Sequence, residues 1–388
     1  MKILYYSAHP SLNLQSPAGY ATHMRETISA FRELGHHVDT FIVGGEEESN
    51  AINNTSRSRT ILKKVIPSLI WETIKDLKLI RNDKNNELKL DKLIKEYDPD
   101  LIYERGYYLL LSGVKSAKRS NCFHILEMNA PYPEERIKMS GKSLFHNYAL
   151  RAEALQTSLT KRLVVVSGAL KNYYSKINSN VASKTIIIPN AISESFIKSF
   201  SDIENQELKK KLNLENKLII GFVGSIFPYH GVEMLVSAFK FTYGNSKDLG
   251  LLIVGDGVGL TEMKKSTKNF KNIVFTGNVN SNEIPSLINL MDICVMAKSN
   301  WYGSPLKIFE YGAYKKAVIV PKVSPVMEII ESEVNGLLVD SESELTIAMK
   351  NLVENMTKRE LMGERLFKKI IENHTWNKNA MRILFDLN

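Results

Sequence analysis

Two cysteines in 388 residues, Cys122 and Cys294, are too few and too far apart for a disulfide scaffold, and they follow no metal-ligand spacing. Both sit in apolar runs that read as buried strands, so they are expected as core thiols. No apolar run approaches the ~20 residues of a membrane-spanning helix. The start, Met1-Lys2-Ile3-Leu4-Tyr5-Tyr6, meets polar residues before a signal-peptide core develops, and a cytoplasmic protein is expected. Chemical signatures are also missing. Gly255-Asp256-Gly257-Val258-Gly259 lacks the last offset of a dinucleotide fingerprint, and no Gly-rich turn is followed by G-K-[ST]. Ser167 lacks the glycines of a nucleophile elbow. There is no H-E-x-x-H and no Cys/His cluster. Asp98-Pro99-Asp100 has the look of a D-x-D metal motif, but its proline pins the backbone directly before an apolar strand. Chemistry without a metal or a cofactor is the expectation. Neither a short-period repeat nor a low-complexity tract is present.

What the chain has is a basic first half. Its net charge is +9. Up to residue 195 there are 27 Lys and Arg against 20 Asp and Glu, so that half carries +7 of the total. Much of the basicity falls between Arg57 and Lys95, where Lys63, Lys64, Lys75, Lys78 and Arg81 interleave with Ile61, Leu62, Val65, Ile66, Leu69, Ile70, Trp71 and Ile74. A basic amphipathic stretch with a Trp can lie on an anionic membrane surface; a solvated helix face is the bland alternative. Nucleic-acid binding is not expected, because acidic residues are mixed in and no recognition motif is present.

Short β-branched apolar runs alternate with helix-like segments, the pattern of parallel sheets flanked by helices. It occurs twice. The first series of strands is Lys2 to Ser7, His37 to Val43, Leu101 to Tyr103, Phe123 to Glu127, Leu163 to Ser167 and Thr185 to Ile188. The second is Leu218 to Val223, Leu251 to Val254, Ile273 to Phe275, Ile293 to Met296, Val318 to Val320 and Gly336 to Val339. Polar Ser199 to Glu215 reads as a linker. An α/β protein of two doubly wound domains facing across a cleft follows, with residues 1–195 and 196–370 as the domains and 371–388 as a final helix returning to the first. Open sheets of this kind bind ligands outside the carboxyl ends of their strands.

The segment Gly303-Ser304-Pro305-Leu306-Lys307-Ile308-Phe309-Glu310-Tyr311 reads as a helix start suited to an anion. Ser304 is a favoured N-cap, Pro305 suits the first helical position, and the next residues offer free N–H groups. Those donors and the helix dipole favour phosphate. Lys307 places a cation where the helix itself disfavours one, and Glu310 could accept from vicinal hydroxyls such as those of a ribose. A capped amphipathic helix with both charges solvated is the alternative. Tight Gly-containing turns recur after strands: Gly19 within Ser16 to His23, Gly221 to Ser225 with Pro228 to Gly231, Gly255 to Gly259, and Gly277-Asn278-Val279. Among His9, His23, His124 and His230, His230 stands out because it precedes Gly231 and a helix, where its imidazole could reach a phosphate.

Taken together these residues resemble the retaining GT-B glycosyltransferases of family 4 (group 1), along nearly the whole chain. The resemblance rests on Ser304 to Tyr311, Ile188-Pro189-Asn190, Val223-Gly224 to Gly231, Val254-Gly255-Asp256-Gly257 and Asn335 to Val339. Leu126 to Pro131 and Tyr103-Glu104-Arg105 resemble a subgroup common in bacterial surface-polysaccharide pathways. By the resemblance, Glu310 holds the donor ribose, backbone amides near Leu306 and Lys307 hold the diphosphate and sugar, and the base sits near Gly277 to Val279. Gly19 lies against the donor phosphate or the acceptor. The departures are specific. Tyr302 stands where the family has a first glutamate, Ser225 and His230 stand in place of an Arg and Lys pair on the diphosphate, Asn129 replaces a histidine, and Lys315 replaces the glycine ending the Glu310 helix. A carboxamide cannot act as a base near neutral pH, so the resemblance implies a mechanism in which the leaving phosphate takes the proton.

The implied function is metal-independent, cofactor-free transfer of a sugar from a UDP- or GDP-sugar to a glycan or lipid-linked glycan, at the inner face of the plasma membrane. Two alternatives remain at this point: a sugar-nucleotide 2-epimerase of the same architecture, and an inactive nucleotide-sugar-binding partner suggested by Tyr302, Ser225 and Asn129.

Overall fold

The computed structural model describes residues 1–46 and 67–387, so Arg57 to Ile66 of the basic stretch lies outside the described residues. The chain divides into two compact units, Met1–Pro189 with Asn379–Asn388, and Asn190–Lys378. Each contains a six-stranded sheet in which every neighbouring pair of strands is parallel.

In the first unit the strands are β1 (Lys2–Ser7), β2 (His37–Ile42), β3 (Leu101–Arg105), β4 (Phe123–Met128), β5 (Arg162–Val165) and β6 (Thr185–Ile187), in the order β2-β1-β3-β4-β5-β6. The helices are α1 (Gly19–Glu33), α2 (Ser68–Tyr97), α3 (Ser112–Ser120), α4 (Tyr132–Ser140), α5 (His146–Leu159) and α6 (Gly168–Ile177). Ile3, Leu4, Tyr5 and Tyr6 are all fully buried, as a central parallel strand covered on both faces must be. The sequence reading ended β3 at Tyr103, before two charges. The strand continues because those charges are paired inside the sheet. Glu104 faces His124 Nε2 on β4 at 3.0 Å, and Arg105 reaches Glu127 on the same strand. Gly113 leaves the room this needs, since a Cβ there would collide with the Glu104 carboxylate. Asp98-Pro99-Asp100 is a helix end and a strand start: Asp98 closes α2 in the left-handed region at φ 50°, and Asp100 accepts from Lys2 N at 2.7 Å.

The second unit holds β7 (Leu218–Val223), β8 (Leu249–Val254), β9 (Ile273–Gly277), β10 (Ile293–Val295), β11 (Ala317–Pro321) and β12 (Leu337–Val339), in the order β12-β11-β10-β7-β8-β9. Its helices are α7 (Asp202–Lys211), α8 (Val232–Tyr243), α9 (Leu260–Ser266), α10 (Ile284–Leu290), α11 (Leu306–Ala313), α12 (Ser324–Met327), α13 (Glu342–Glu354) and α14 (Met356–Asn373). Alternate strand residues serve opposite faces. Ile220, Phe222, Leu251 and Ile253 pack with α8 and α13, while Ile219, Val223, Leu252 and Val254 pack with α11 and α14. The last helix, α15 (Trp376–Leu384), starts in the second unit, and its end counts with the first. There Arg162 donates to the carbonyls of Ile383 and Phe385 at 2.6 and 2.8 Å.

The expected linker from Ser199 to Glu215 contains a helix, Asp202–Lys211. Ser201 and Glu204 form a reciprocal capping box at the start of α7, and Lys209, Lys210 and Lys211 occupy its last turn. These terms stabilise a polar helix by complementing its ends. Among the described residues no helix is long and apolar enough to cross a membrane.

Strand order reverses between β1 and β3 in the first sheet and between β7 and β10 in the second. Such a reversal leaves a crevice outside the carboxyl ends, the usual ligand position in open α/β sheets.

Candidate functional site

The β7/β10 reversal is built from glycine turns. Gly224 follows β7 at φ 129°, a conformation favouring glycine, and a Cβ on it would lie 2.5 Å from Lys307 Cε. Its N–H donates to Val254 O at 2.9 Å. Gly255 N in turn donates to Gly277 O at 3.0 Å, so the turns after β7, β8 and β9 are tied side by side. Gly277 has φ 73°, and the space its side chain would fill is open. Val279, two residues on, packs partly buried against the α11 side of the core.

After Gly224 the chain passes Ser225 and makes a turn at Pro228–His230. His230 Nδ1 lies 2.6 Å from Ser225 O. A carbonyl only accepts, so Nδ1 carries the proton and Nε2 presents a lone pair. That lone pair faces Lys307 Nζ at 3.4 Å. Burial, and then the Lys307 charge, push the imidazole down to about 4. The phosphate-donor role expected of His230 is therefore not what the ring is arranged for. Its N–H is already used, and it accepts from Lys307. Ser225 contributes its carbonyl to this arrangement.

Lys307 is half-buried, with its ammonium 5.3 Å from the Phe222 ring centroid. Burial pushes it down to about 8, with the Glu310 carboxylate pulling the other way. Glu310 is also half-buried, and burial raises its carboxyl against the opposing effect of Lys307. No described residue donates a hydrogen bond to the Glu310 carboxylate. An unpartnered, partly desolvated carboxylate is costly unless something else is meant to bond it.

The helix itself starts one residue later than expected. Pro305 is the N-cap of α11, without a side-chain cap bond. Ser304 is not the cap because its Oγ accepts from Asn190 N at 3.0 Å, and Asn190 Nδ2 also donates to Ser304 O. The hydroxyl is thus committed to holding the α11 start against Asn190. The N–H groups of Leu306 and Lys307 make no hydrogen bond to a described residue, so the first turn still presents two donors. Tyr302 is buried in the preceding loop, edge-on to Trp301 at 5.3 Å, and Asn300 Oδ1 accepts from Gly303 N at 2.5 Å. At the rear, the Tyr311 hydroxyl accepts from Val223 N at 2.9 Å, which fixes α11 to β7. Lys315 closes the helix at φ 55°, a left-handed position that glycine fills at lower cost.

Gly224, Ser225, His230 and Lys307 are thus in direct contact, with Glu310 one helical turn beyond. Gly19 and Asn129 belong to the first unit. Gly19 is the first residue of α1. Asn129 donates to Glu127, the centre of a cluster that sequence reasoning gave no role. Glu127 is fully buried and also accepts from Tyr103 Oη at 2.5 Å, Arg105 Nη1 at 2.7 Å and His23 Nε2 at 2.9 Å. Burial alone would raise its carboxyl, but His23 and Arg105 hold it well below the usual range. The available signal was a charge inside each of two apolar runs, Tyr103-Glu104-Arg105 and Ile125-Leu126-Glu127-Met128.

Residues 204–369 match the family described as glycosyl transferases group 1, and residues 17–196 match glycosyltransferase family 4. The chain is similar to an uncharacterised glycosyltransferase of Methanocaldococcus jannaschii, 27% identical over 56% of this chain. That match spans about half, 56%, of the relative's own length. Among solved structures, Anabaena HepE in complex with UDP superposes with a TM-score of 0.74 at 18% identity, covering 100% of this chain and 99% of the other. HepE has also been solved with UDP-glucose. WaaG, a glycosyltransferase involved in lipopolysaccharide biosynthesis, gives 0.68 at 14% identity, covering 99% of both chains. With one family match on each sheet and the same fold along its length, this chain belongs to the group 1 GT-B glycosyltransferases.

Proposed function

We propose that the protein transfers a sugar from a UDP-sugar to a hydroxyl of a glycan or lipid-linked glycan, with retention at the anomeric carbon and no metal ion on the diphosphate. The observation that carries this reading is the Lys307 and Glu310 pair, a cation aimed by His230 and a carboxylate that accepts no hydrogen bond from a described residue, on a helix start with two open N–H groups. The UDP complexes of HepE support uracil as the base. Glu310 accepts from the two ribose hydroxyls, Lys307 and the N–H groups of Leu306 and Lys307 hold the diphosphate, and the open backbone at Gly277 to Val279 receives the base.

As the bond from the anomeric carbon to the phosphate oxygen breaks, negative charge grows on that oxygen, and fixed donors aimed at it lower the barrier. The acceptor oxygen bonds to the same carbon, and its proton passes to the departing phosphate. Each charge-assisted hydrogen bond is worth about 1.5 to 3 kcal/mol. Titration with UDP, followed by a transfer assay on Glu310→Ala, tests the assignment. Wild-type binding and transfer in that variant would remove it. Conversion of the donor sugar without any acceptor would point instead to epimerisation.

The same proposal sets the protein against an anionic membrane through the first turns of α2. Leu69, Ile70, Ile74 and Leu77 are exposed there, as are Met139 and Leu144 nearby. Lys75, Lys78, Lys138 and Lys142 are exposed among them. Apolar side chains that insert, ringed by cations that meet acidic headgroups, are the chemistry of an interfacial helix. The resemblance to WaaG supports a role in building surface polysaccharide.

A further inference from the structure

The loop that joins β4 to α4, Asn129-Ala130-Pro131, is held by side chains the proposed transfer does not use. Tyr174 of α6 donates its phenol proton to Ala130 O at 2.8 Å. A carbonyl only accepts, so that proton is spent. The same Tyr174 Oη lies 3.3 Å from Glu153 Oε1 of α5, while Glu153 Oε2 accepts from Tyr173 Oη at 3.0 Å. An ionised Glu153 would set its charge against an oxygen lone pair of Tyr174, whereas a protonated one donates to it. The hydrogen-bond count therefore asks for a neutral carboxyl.

Glu153, Tyr174 and Ala130 are all buried. The groups facing the Glu153 carboxyl are the phenols of Tyr173 and Tyr174 from α6 and, from α4, the Tyr132 backbone N–H and the Glu134 carboxylate. None of these is a cation, in contrast to the Arg105 and His23 that face Glu127. Burial pushes the Glu153 carboxyl up to about 7, against the hydrogen bonds of Tyr173 and Tyr174. Burial, and then Glu153 itself, hold the Tyr174 phenol well above its ordinary value, so it keeps its proton. The proton on Glu153 thus decides which way the Tyr174 hydroxyl points. When it leaves for bulk water, the carboxylate draws the phenol O–H to itself and Ala130 O loses its donor.

We infer that Glu153 is a positioning residue: with its proton it makes Tyr174 clamp the Asn129-Ala130-Pro131 loop, and without it the clamp opens and transfer slows. The effect on transfer rests on the proposed function, through Asn129 at the position of the family histidine; the clamp does not.

Glu153→Gln keeps the shape and can donate to Tyr174 at every pH, so it should lock the clamp shut. Amide protection of residues 129–135 in the full chain, read by hydrogen-exchange mass spectrometry, should match between wild type and this variant near pH 6. Near pH 8 it should be lower in wild type. UDP release at saturating UDP-glucose, UDP-galactose or UDP-N-acetylglucosamine should also match near pH 6. Near pH 8 wild type should fall to about one tenth of the variant, since a group titrating at about 7 is then about nine-tenths ionised. The raised carboxyl contributes stability that is full below its ordinary 4.5 and lost as pH rises through about 7, so the urea midpoint of wild type should fall relative to the variant across that range.

Tyr174→Phe, which cannot bond Ala130 O, should show the low protection at both pH values, and it keeps the test open if Glu153→Gln fails to fold. Equal protection near pH 8 in wild type and Glu153→Gln would overturn the inference. So would unequal protection with equal UDP release, or a pH step in protection that survives in Tyr174→Phe. No UDP release from any donor would remove the transferase reading instead, and the protection comparison would then decide the clamp.

Discussion

Glu127 in the first unit and Glu310 in the second are carboxylates at the carboxyl side of similar parallel sheets, yet their surroundings are opposite. Glu127 is fully buried and accepts from Tyr103, Arg105, His23 and Asn129. Glu310 is half-buried, and no described residue bonds it. A buried charge whose lone pairs are satisfied holds a fold together. One left unsatisfied beside an open helix start is held for a ligand. The contrast predicts that removing the first unfolds the protein and removing the second disarms it.

The largest expected effect is therefore on stability. Glu127→Ala leaves Arg105 buried without its partner and should cost about 3 to 5 kcal/mol, read as a fall in the urea midpoint; Glu310→Ala should leave that midpoint close to wild type. If both variants melt alike, the distinction between them is wrong. Next comes the diphosphate grip. Lys307→Ala should weaken UDP binding by about 10- to 100-fold, from the loss of one charge-assisted bond. His230→Ala should cost less, because the ring orients Lys307 and has no free N–H for phosphate. Calorimetry that ranks them in reverse would show that the imidazole itself carries the phosphate.

A pH series sharpens the same point. Lys307 is held near 8, so its charge is present below that pH and lost above it. UDP affinity should fall as pH rises through about 8 in wild type and stay flat in Lys307→Met. A fall in both would assign the titration elsewhere. The smallest effect concerns Lys315, whose left-handed backbone glycine would relieve. Lys315→Gly should stabilise by about 0.5 to 1 kcal/mol, less what is lost with the exposed Glu364 ion pair at 2.7 Å. A loss of stability would mean that the ion pair outweighs the backbone term.

The short β-branched apolar runs located all twelve strands of the described residues, because parallel strands covered on both faces are apolar throughout. Boundaries failed where tertiary partners intervened. β3 extends through Glu104 and Arg105 only because β4 supplies His124 and Glu127. Ser304 had the chemistry of a cap, but Asn190, over a hundred residues away, takes its hydroxyl. The capping box of α7 is legible at Ser201-x-x-Glu204, inside a stretch whose polarity alone reads as a linker. At the site, the glycine turns and the Lys307 to Glu310 spacing were local and legible. The tautomer of His230, and its consequence for Lys307, was not, because it depends on the Ser225 carbonyl. The contacts of Tyr174 with Glu153 and Ala130 join α6 to α5 and the β4–α4 loop, and no local pattern links them.

Titration of UDP into wild type and Glu310→Gln at pH 7, with matched urea midpoints, tests most directly whether the open charges of the second unit are held for a nucleotide. The account predicts that wild type binds and that the variant, isosteric but uncharged, binds about 10- to 100-fold more weakly. Equal affinity, or no binding by wild type, would contradict it.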